Sequence, residues 1–234
     1  MKDKKDTKES AFPMRINKYL ALKKYSTRRG ADEIIKKNQV FINGKLAALG
    51  DKVQESDKVE VKFRVKPTAF VYFAYNKLKG TAITGINDAE SSPDIFPVSA
   101  LDKESHGLMI MTNDGRITDR LLSSAYVHEK EYVVTTRNTL RGSFKRKMEE
   151  GVKLEDGEIV KCKVKIMDDT RFRVILMGEK RHQLRRMCAA LFQEVRYIEC
   201  VRIMNIMLGN LQEGARREIK GEELKTFLHE LGLG

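Results

Sequence analysis

Pro97-Val98-Ser99-Ala100-Leu101-Asp102-Lys103-Glu104-Ser105-His106-Gly107-Leu108 is an acidic loop between two apolar segments. Gly107 leads out of it into the run Leu108-Met109-Ile110-Met111, which is too short for a helix and reads as a strand. A lone aspartate in a loop is ordinarily a solvated turn residue, because its carboxylate bonds nearby backbone. Asp102 acquires meaning only from what surrounds it.

Downstream and upstream of this loop the chain is rich in short apolar runs. Phe70 to Ala74, Gly107 to Met111, Glu131 to Thr135, Ile159 to Ile166, Arg171 to Met177 and Val195 to Val201 read as strands. Helical patterns intervene at about 116–124, 141–150 and 183–192. A last helix carries Leu224, Phe227, Leu228 and Leu231 at i, i+3, i+4 and i+7. This mixture predicts an α+β domain over residues 69–234, built on a mixed sheet.

The first 64 residues follow a different pattern. Residues 1–13 predict a disordered basic tail, because residues 1–10 are polar or charged apart from Met1. Ile16, Tyr19, Leu20 and Lys23 mark a first helix, and Ser26 or Thr27 can cap a second that turns Ala31, Ile34 and Ile35 inward. Val40-Phe41-Ile42 then meets Asn43-Gly44, a dipeptide suited to the positive φ of a type I′ hairpin turn. Lys58 to Phe63 alternates as a half-buried strand does. Pro67 favours extension before it, so 65–68 reads as a linker.

Charge follows this division. Residues 1–66 hold 18 basic and 9 acidic side chains, against 27 and 24 in the remainder, within a chain of formal net charge +12. Most of the excess lies in the small N-terminal module, which points to a polyanion; without a lipidation motif, that means nucleic acid rather than membrane. A plain solubility charge is the alternative. With 41% apolar and 33% charged residues the chain can bury a core. No run of 18 apolar residues and no apolar stretch behind the basic N-terminus predicts neither a membrane span nor a secretory signal. Three cysteines, Cys162, Cys188 and Cys200, lack metal-ligand spacing and fit a reducing, cytoplasmic setting. No phosphate-binding loop, dinucleotide fingerprint or metalloprotease motif occurs, and the 4 histidines are scattered, so neither metal nor cofactor is expected.

Two resemblances connect these readings. Arg15-Ile16-Asn17-Lys18-Tyr19-Leu20, Ser26-Thr27-Arg28-Arg29-Gly30-Ala31-Asp32 and Val40-Phe41-Ile42-Asn43-Gly44-Lys45 resemble the S4 RNA-binding module over residues 14–64. That resemblance implies RNA contacts from Arg15, Lys18, Arg28, Arg29, Lys36, Lys37 and Lys45, of the kind that position RNA more than they read it. The Asp102 loop, continuing to Thr112-Asn113-Asp114-Gly115, resembles the signature loop of pseudouridine synthases of the RsuA class. His128-Glu129-Lys130-Glu131-Tyr132 and His182-Gln183-Leu184-Arg185-Arg186-Met187 resemble two further blocks of that class. Lys161-Cys162-Lys163-Val164 and Arg202-Ile203-Met204-Asn205 look most like its RluF branch, which modifies large-subunit ribosomal RNA.

What the resemblance implies is an isomerase that turns uridine into pseudouridine in ribosomal RNA of the large subunit, with a synthase acting on small-subunit ribosomal RNA or transfer RNA as the alternative; a monomer with no obligate protein partner is expected. It implies Asp102 as nucleophile or base at the ribose, Arg185 as the cation holding that carboxylate, and Tyr132 against the flipped uracil. Leu184, Lys77, Lys103, His182 and Arg186 are implied around the substrate, with Met187 lining or backing the pocket. The plainer alternatives are core positions for Tyr132 and Leu184, and a phosphate contact for Arg185. Two departures stand out: Ala100, preceded by Ser99, occupies the position of an arginine that fills the vacated base site, and Asn76-Lys77-Leu78 lacks the class proline. Ala100 supports the competing expectation of a catalytically weak RNA-binding or ribosome-assembly factor.

Overall fold

The computed structural model describes residues 12–23, 25, 28–62, 69–81, 95–98, 101–122, 127–178 and 182–233. The tail to residue 11, the capping Ser26 and Thr27, the linker 65–68, and Ser99 with Ala100 lie outside the described residues, as does the side chain of Arg29. The chain forms two units that divide between Phe70 and Val71.

The first unit contains β1 (Met14–Arg15), α1 (Ile16–Leu22), α2 (Arg28–Lys36), β2 (Val40–Ile42), β3 (Lys45–Leu46), β4 (Lys52–Val53) and β5 (Val59–Val61). Its core is the set the helical spacing selects, Ile16 and Leu20 from α1 with Ala31, Ile34 and Ile35 from α2, closed by Val40, Ala47 and Val53. Asn17 Nδ2 donates to Asp32 Oδ1 at 2.9 Å and ties the two helices together. The β2–β3 hairpin turns at Asn43 and Gly44, with φ of 50° and 79°, as a type I′ turn requires. β5 is shorter than the alternation suggested and partly exposed throughout, because it adds to one side of a three-stranded sheet ordered β3-β2-β5.

The second unit contains β6 (Tyr72–Lys77), β7 (Phe96–Val98), β8 (His106–Thr112), α3 (Gly115–Leu122), β9 (Glu129–Thr136), α4 (Phe144–Glu150), β10 (Val152–Lys153), β11 (Ile159–Val160), β12 (Lys163–Ile166), β13 (Arg171–Met177), α5 (Gln183–Ala190), β14 (Val195–Ile203), β15 (Ile206–Met207), β16 (Arg216–Glu218) and α6 (Gly221–Glu230). The main sheet runs β12-β13-β9-β14-β8-β6-β16, with β7 on β8 and β15 on β14. Among the described residues β14 and β8 pair in parallel and the other partners are antiparallel, so the sheet is mixed and mainly antiparallel.

β13 alternates strictly, with Phe172, Val174 and Leu176 buried and Arg171 and Met177 exposed. α4 packs on that buried face through Phe144, whose ring lies 4.8 Å from the Phe172 ring. α5 buries Gln183, Leu184, Met187 and Cys188 and leaves Arg185 and Arg186 partly exposed. The segment expected as one strand from Ile159 to Ile166 is two. β11 pairs with β10 in a separate hairpin and β12 joins the main sheet; between them Cys162 is buried and its thiol donates to the Met148 carbonyl at 3.5 Å. Pro97 and Val98, expected in the loop, belong to strand β7 beside β8, a flank where proline's missing N–H is tolerated.

Candidate active site

The Asp102 loop crosses between β7 and β8, and three elements fix its shape. Gly107 has φ +97°, and a β-carbon there would meet the backbone of Cys200, whose nitrogen would be 2.8 Å away. Glycine at this point lets β8 approach β14 closely and begin its parallel pairing at His106 and Gly107. Beneath the loop, Lys77 is fully buried at the end of β6, and its Nζ donates to the carbonyls of Ser105 at 2.7 Å and of Lys103 and Leu78 at 3.2 Å. Burial pushes the Lys77 ammonium below its ordinary pKa, although the charges of Asp102 and Glu104 work the other way. Gly80 N–H also donates to the Lys103 carbonyl, at 2.9 Å.

The loop carries the Asp102 carboxylate to the start of α5. Oδ1 accepts from Ser105 N–H at 2.7 Å, and Oδ2 accepts from Arg185 Nε at 2.9 Å. Arg185 Nη2 lies 3.5 Å from Oδ1 and 3.4 Å from Ser105 Oγ. His182 Nδ1 sits 3.2 Å from Oδ2; this residue adopts a left-handed φ of 56° at the head of α5. Burial alone would raise the pKa of Asp102. The hydrogen bonds from Arg185 and Ser105, with the guanidinium charge, outweigh it and hold the carboxyl well below the usual carboxylate range. Asp102 is therefore ionised throughout the neutral range.

Leu101, Asp102, Ser105, Tyr132, His182, Leu184, Arg185 and Ile198 line one narrow cleft. Its enclosed volume is about 10 Å³, room for roughly one water. Tyr132 reaches it from β9 and is only 2% exposed. On the neighbouring position of the same strand Glu131 accepts from Arg202 Nε and Arg173 Nη1, each at 2.8 Å, which locks β9 between β13 and β14. The Arg202 segment singled out in the sequence thus acts as a strut.

The structure brings Asp102, Tyr132, Leu184, Arg185 and His182 together. Lys77, Lys103 and Arg186 do not line the cleft. Lys77 spends its ammonium on loop carbonyls, which makes it a support for the loop. Lys103 is exposed on the loop and contributes its carbonyl. Arg186 turns outward, its Nη2 donating to Asp156 at 2.7 Å. Met187 is fully buried on the same helix as Leu184. Ser105, Leu101 and Ile198 were not singled out beforehand; Ser105 had a signal, since a loop aspartate commonly accepts from backbone N–H groups shortly after it in the chain.

In the first unit Arg15, Lys18 and Arg28 line one open groove with Pro13, Met14 and Asn17. Lys37 and Lys45 are exposed, and Lys36 is exposed while paired with Glu33 at 2.8 Å, an ion pair worth little in water.

Comparisons with known proteins agree on one family. Residues 49–190 match the family model described as RNA pseudouridylate synthase, and residues 14–59 match the S4 domain. The chain is 37% identical over 222 residues to the dual-specificity RNA pseudouridine synthase RluF of Salmonella typhi, covering 90% of this chain and 77% of that protein. It is 31% identical over 231 residues to the ribosomal large subunit pseudouridine synthase B of Bacillus subtilis, covering 91% and 95%. A crystal structure of a pseudouridylate synthase shares the fold, with a TM-score of 0.66 and 24% identity over 93% of this chain and 99% of that one.

Proposed function

Because this chain belongs to the RNA pseudouridylate synthase family, with an S4 domain ahead of the synthase unit, we propose that it isomerises a specific uridine of large-subunit ribosomal RNA to pseudouridine. The observation that carries this reading is the Asp102–Arg185 pair at 2.9 Å in a cleft walled by Tyr132 and Leu184. A carboxylate kept ionised beside an apolar wall and an aromatic ring suits chemistry at a sugar carbon next to a planar base.

In this reading the C1′–N1 bond of uridine breaks, the uracil turns, and C5 bonds to C1′. C5 gives up its proton and N1 gains one, so reactant and product are isomers. Asp102 acts at the ribose as nucleophile or base. Tyr132 lies against the extruded uracil, and its hydroxyl relays a proton. Since C1′ is inaccessible in a stacked helix, the target is flipped out, at a cost of a few kcal/mol. Arg15, Lys18 and Arg28, in their shared groove, grip phosphates. The matched relatives' names favour ribosomal RNA; the word dual-specificity in one of them favours testing a second RNA class. Mapping pseudouridine in ribosomal and transfer RNA from cells with and without the gene tests the proposal. Loss of at least one large-subunit site is expected, and an unchanged pattern in every RNA would overturn it.

Ala100 favours a second reading, an RNA-binding factor of weak or no catalytic activity. If the missing arginine contributes about 1–3 kcal/mol to the flipped state, Ala100→Arg will speed turnover on structured RNA roughly 5- to 150-fold. A variant that binds RNA, keeps its fold and makes no pseudouridine supports the second reading instead.

A further inference from the structure

His182 stands at the head of α5 without the geometry of a helix cap. A capping residue usually has extended backbone and turns its side chain back to a free N–H of its own helix. His182 instead has a left-handed φ of 56° with ψ of 18°, and its side chain makes no capping hydrogen bond. The ring crosses to the Asp102 loop, where Nδ1 lies 3.2 Å from Oδ2. A left-handed backbone is costly for any residue with a β-carbon, so a contact delivered by one points to function.

We propose that His182 is a positioning residue, whose Nδ1–H holds the Asp102 carboxylate in the orientation from which it acts at the ribose. A ring nitrogen this close to a carboxylate oxygen carries its hydrogen, which fixes the neutral ring as the Nδ1–H tautomer. Arg185 Nε reaches the same oxygen at 2.9 Å from the first turn of α5. Ser105 N–H holds the other oxygen at 2.7 Å. An aspartate carboxylate swings about two side-chain bonds; a single donor restrains its distance, and donors from separate groups restrain its rotation as well.

This role differs from the substrate contact that the resemblance implies for His182. A contact with RNA acts on binding, whereas a brace on Asp102 acts on the step after binding. Asparagine separates the two. Its Nδ2 stands as many bonds from the backbone as histidine Nδ1 does, and asparagine tolerates a left-handed φ. It has no second ring nitrogen and no ring, so it keeps the donor and removes any proton transfer or stacking. Glycine keeps the backbone conformation and removes the donor. With 40% of the His182 side chain exposed, the position it vacates is open to imidazole from solution.

This inference rests on the synthase reading, and two readouts keep their failures apart. The first is steady-state pseudouridine formation on an in vitro transcript of large-subunit ribosomal RNA by the unaltered protein, His182→Gly and His182→Asn. Loss of the donor should lower kcat about tenfold, the size of one hydrogen bond to a charged group, with KM within about twofold. His182→Asn should recover most of that loss, and added imidazole should speed His182→Gly but not Asp102→Asn. A thermal melt checks that each variant stays folded. A change confined to KM, or a folded Asn variant as slow as the Gly variant, would overturn the positioning role. The second readout needs no RNA: nitrogen NMR of the histidine-labelled protein at a pH where the rings are neutral. The His182 signal, identified by its loss in His182→Asn, should report the Nδ1–H tautomer, and Asp102→Asn should reduce that tautomer's share. An Nε2–H tautomer at His182 would overturn the proposal whatever the turnover. If the unaltered protein forms no pseudouridine on any RNA the synthase reading fails, while the spectra still decide the bond between His182 and Asp102.

Discussion

Arg185 Nε and Asp102 Oδ2 meet at 2.9 Å across 83 residues of chain, one on the first turn of a helix and the other on a loop at the head of a strand. Neither exposes more than 26% of its side chain, so the pair is screened less than a surface bridge. With burial opposing ionisation, the guanidinium and the Ser105 hydrogen bonds together keep the carboxylate charged.

The pH dependence follows from that opposition. A depressed carboxyl pKa adds stability above its unfolded value, near 3.9, which is lost as pH falls through the lower folded value. Between about pH 5 and 8 the turnover of the unaltered protein should therefore show no acid limb from Asp102. In Arg185→Gln the carboxylate loses the guanidinium hydrogen bond and charge and keeps only those from Ser105 against burial, so its acid limb should move to higher pH, together with slower turnover. Single-turnover rates across pH measure this, and a variant whose limb does not move would separate Arg185 from Asp102.

Lys77 is the support on which the loop rests. Lys77→Met leaves the buried carbonyl of Ser105 without its ammonium donor, at a cost of about 2 kcal/mol in unfolding free energy. Turnover should fall too, because Asp102 lies on the same loop. Urea denaturation checks the first expectation, and full stability in the variant would contradict the role.

Gly107 is constrained twice, by a φ of +97° and by the Cys200 backbone. Gly107→Ala is expected to destabilise the protein by about 2–4 kcal/mol, more than an exposed turn glycine such as Gly157, where a β-carbon meets nothing within 4 Å. Thermal melts of the two variants side by side test the difference.

Much of the fold was legible because burial writes itself into residue pattern. β8 is buried along Gly107 to Thr112 and reads as an unbroken apolar run, while β13, exposed on one side, alternates. Ile159 to Ile166 misled because length and β-branching cannot show that Cys162 turns inward and splits two hairpins. β16 and β15 escaped notice because Arg216-Arg217-Glu218 and Ile206-Met207 pair through backbone, which side chains do not reveal. In the site, Asp102, Tyr132 and Arg185 were reached through resemblance. The use of Lys77 was hidden, since a lysine that binds carbonyls and one that binds phosphate look the same in sequence.

The most direct measurement is mass-resolved nucleoside analysis of large-subunit ribosomal RNA treated with the unaltered protein and with Asp102→Asn. The substitution keeps size and removes the charge. The unaltered protein should form pseudouridine, and the variant should bind the RNA with similar affinity and form none. Ordinary turnover by Asp102→Asn would contradict the account.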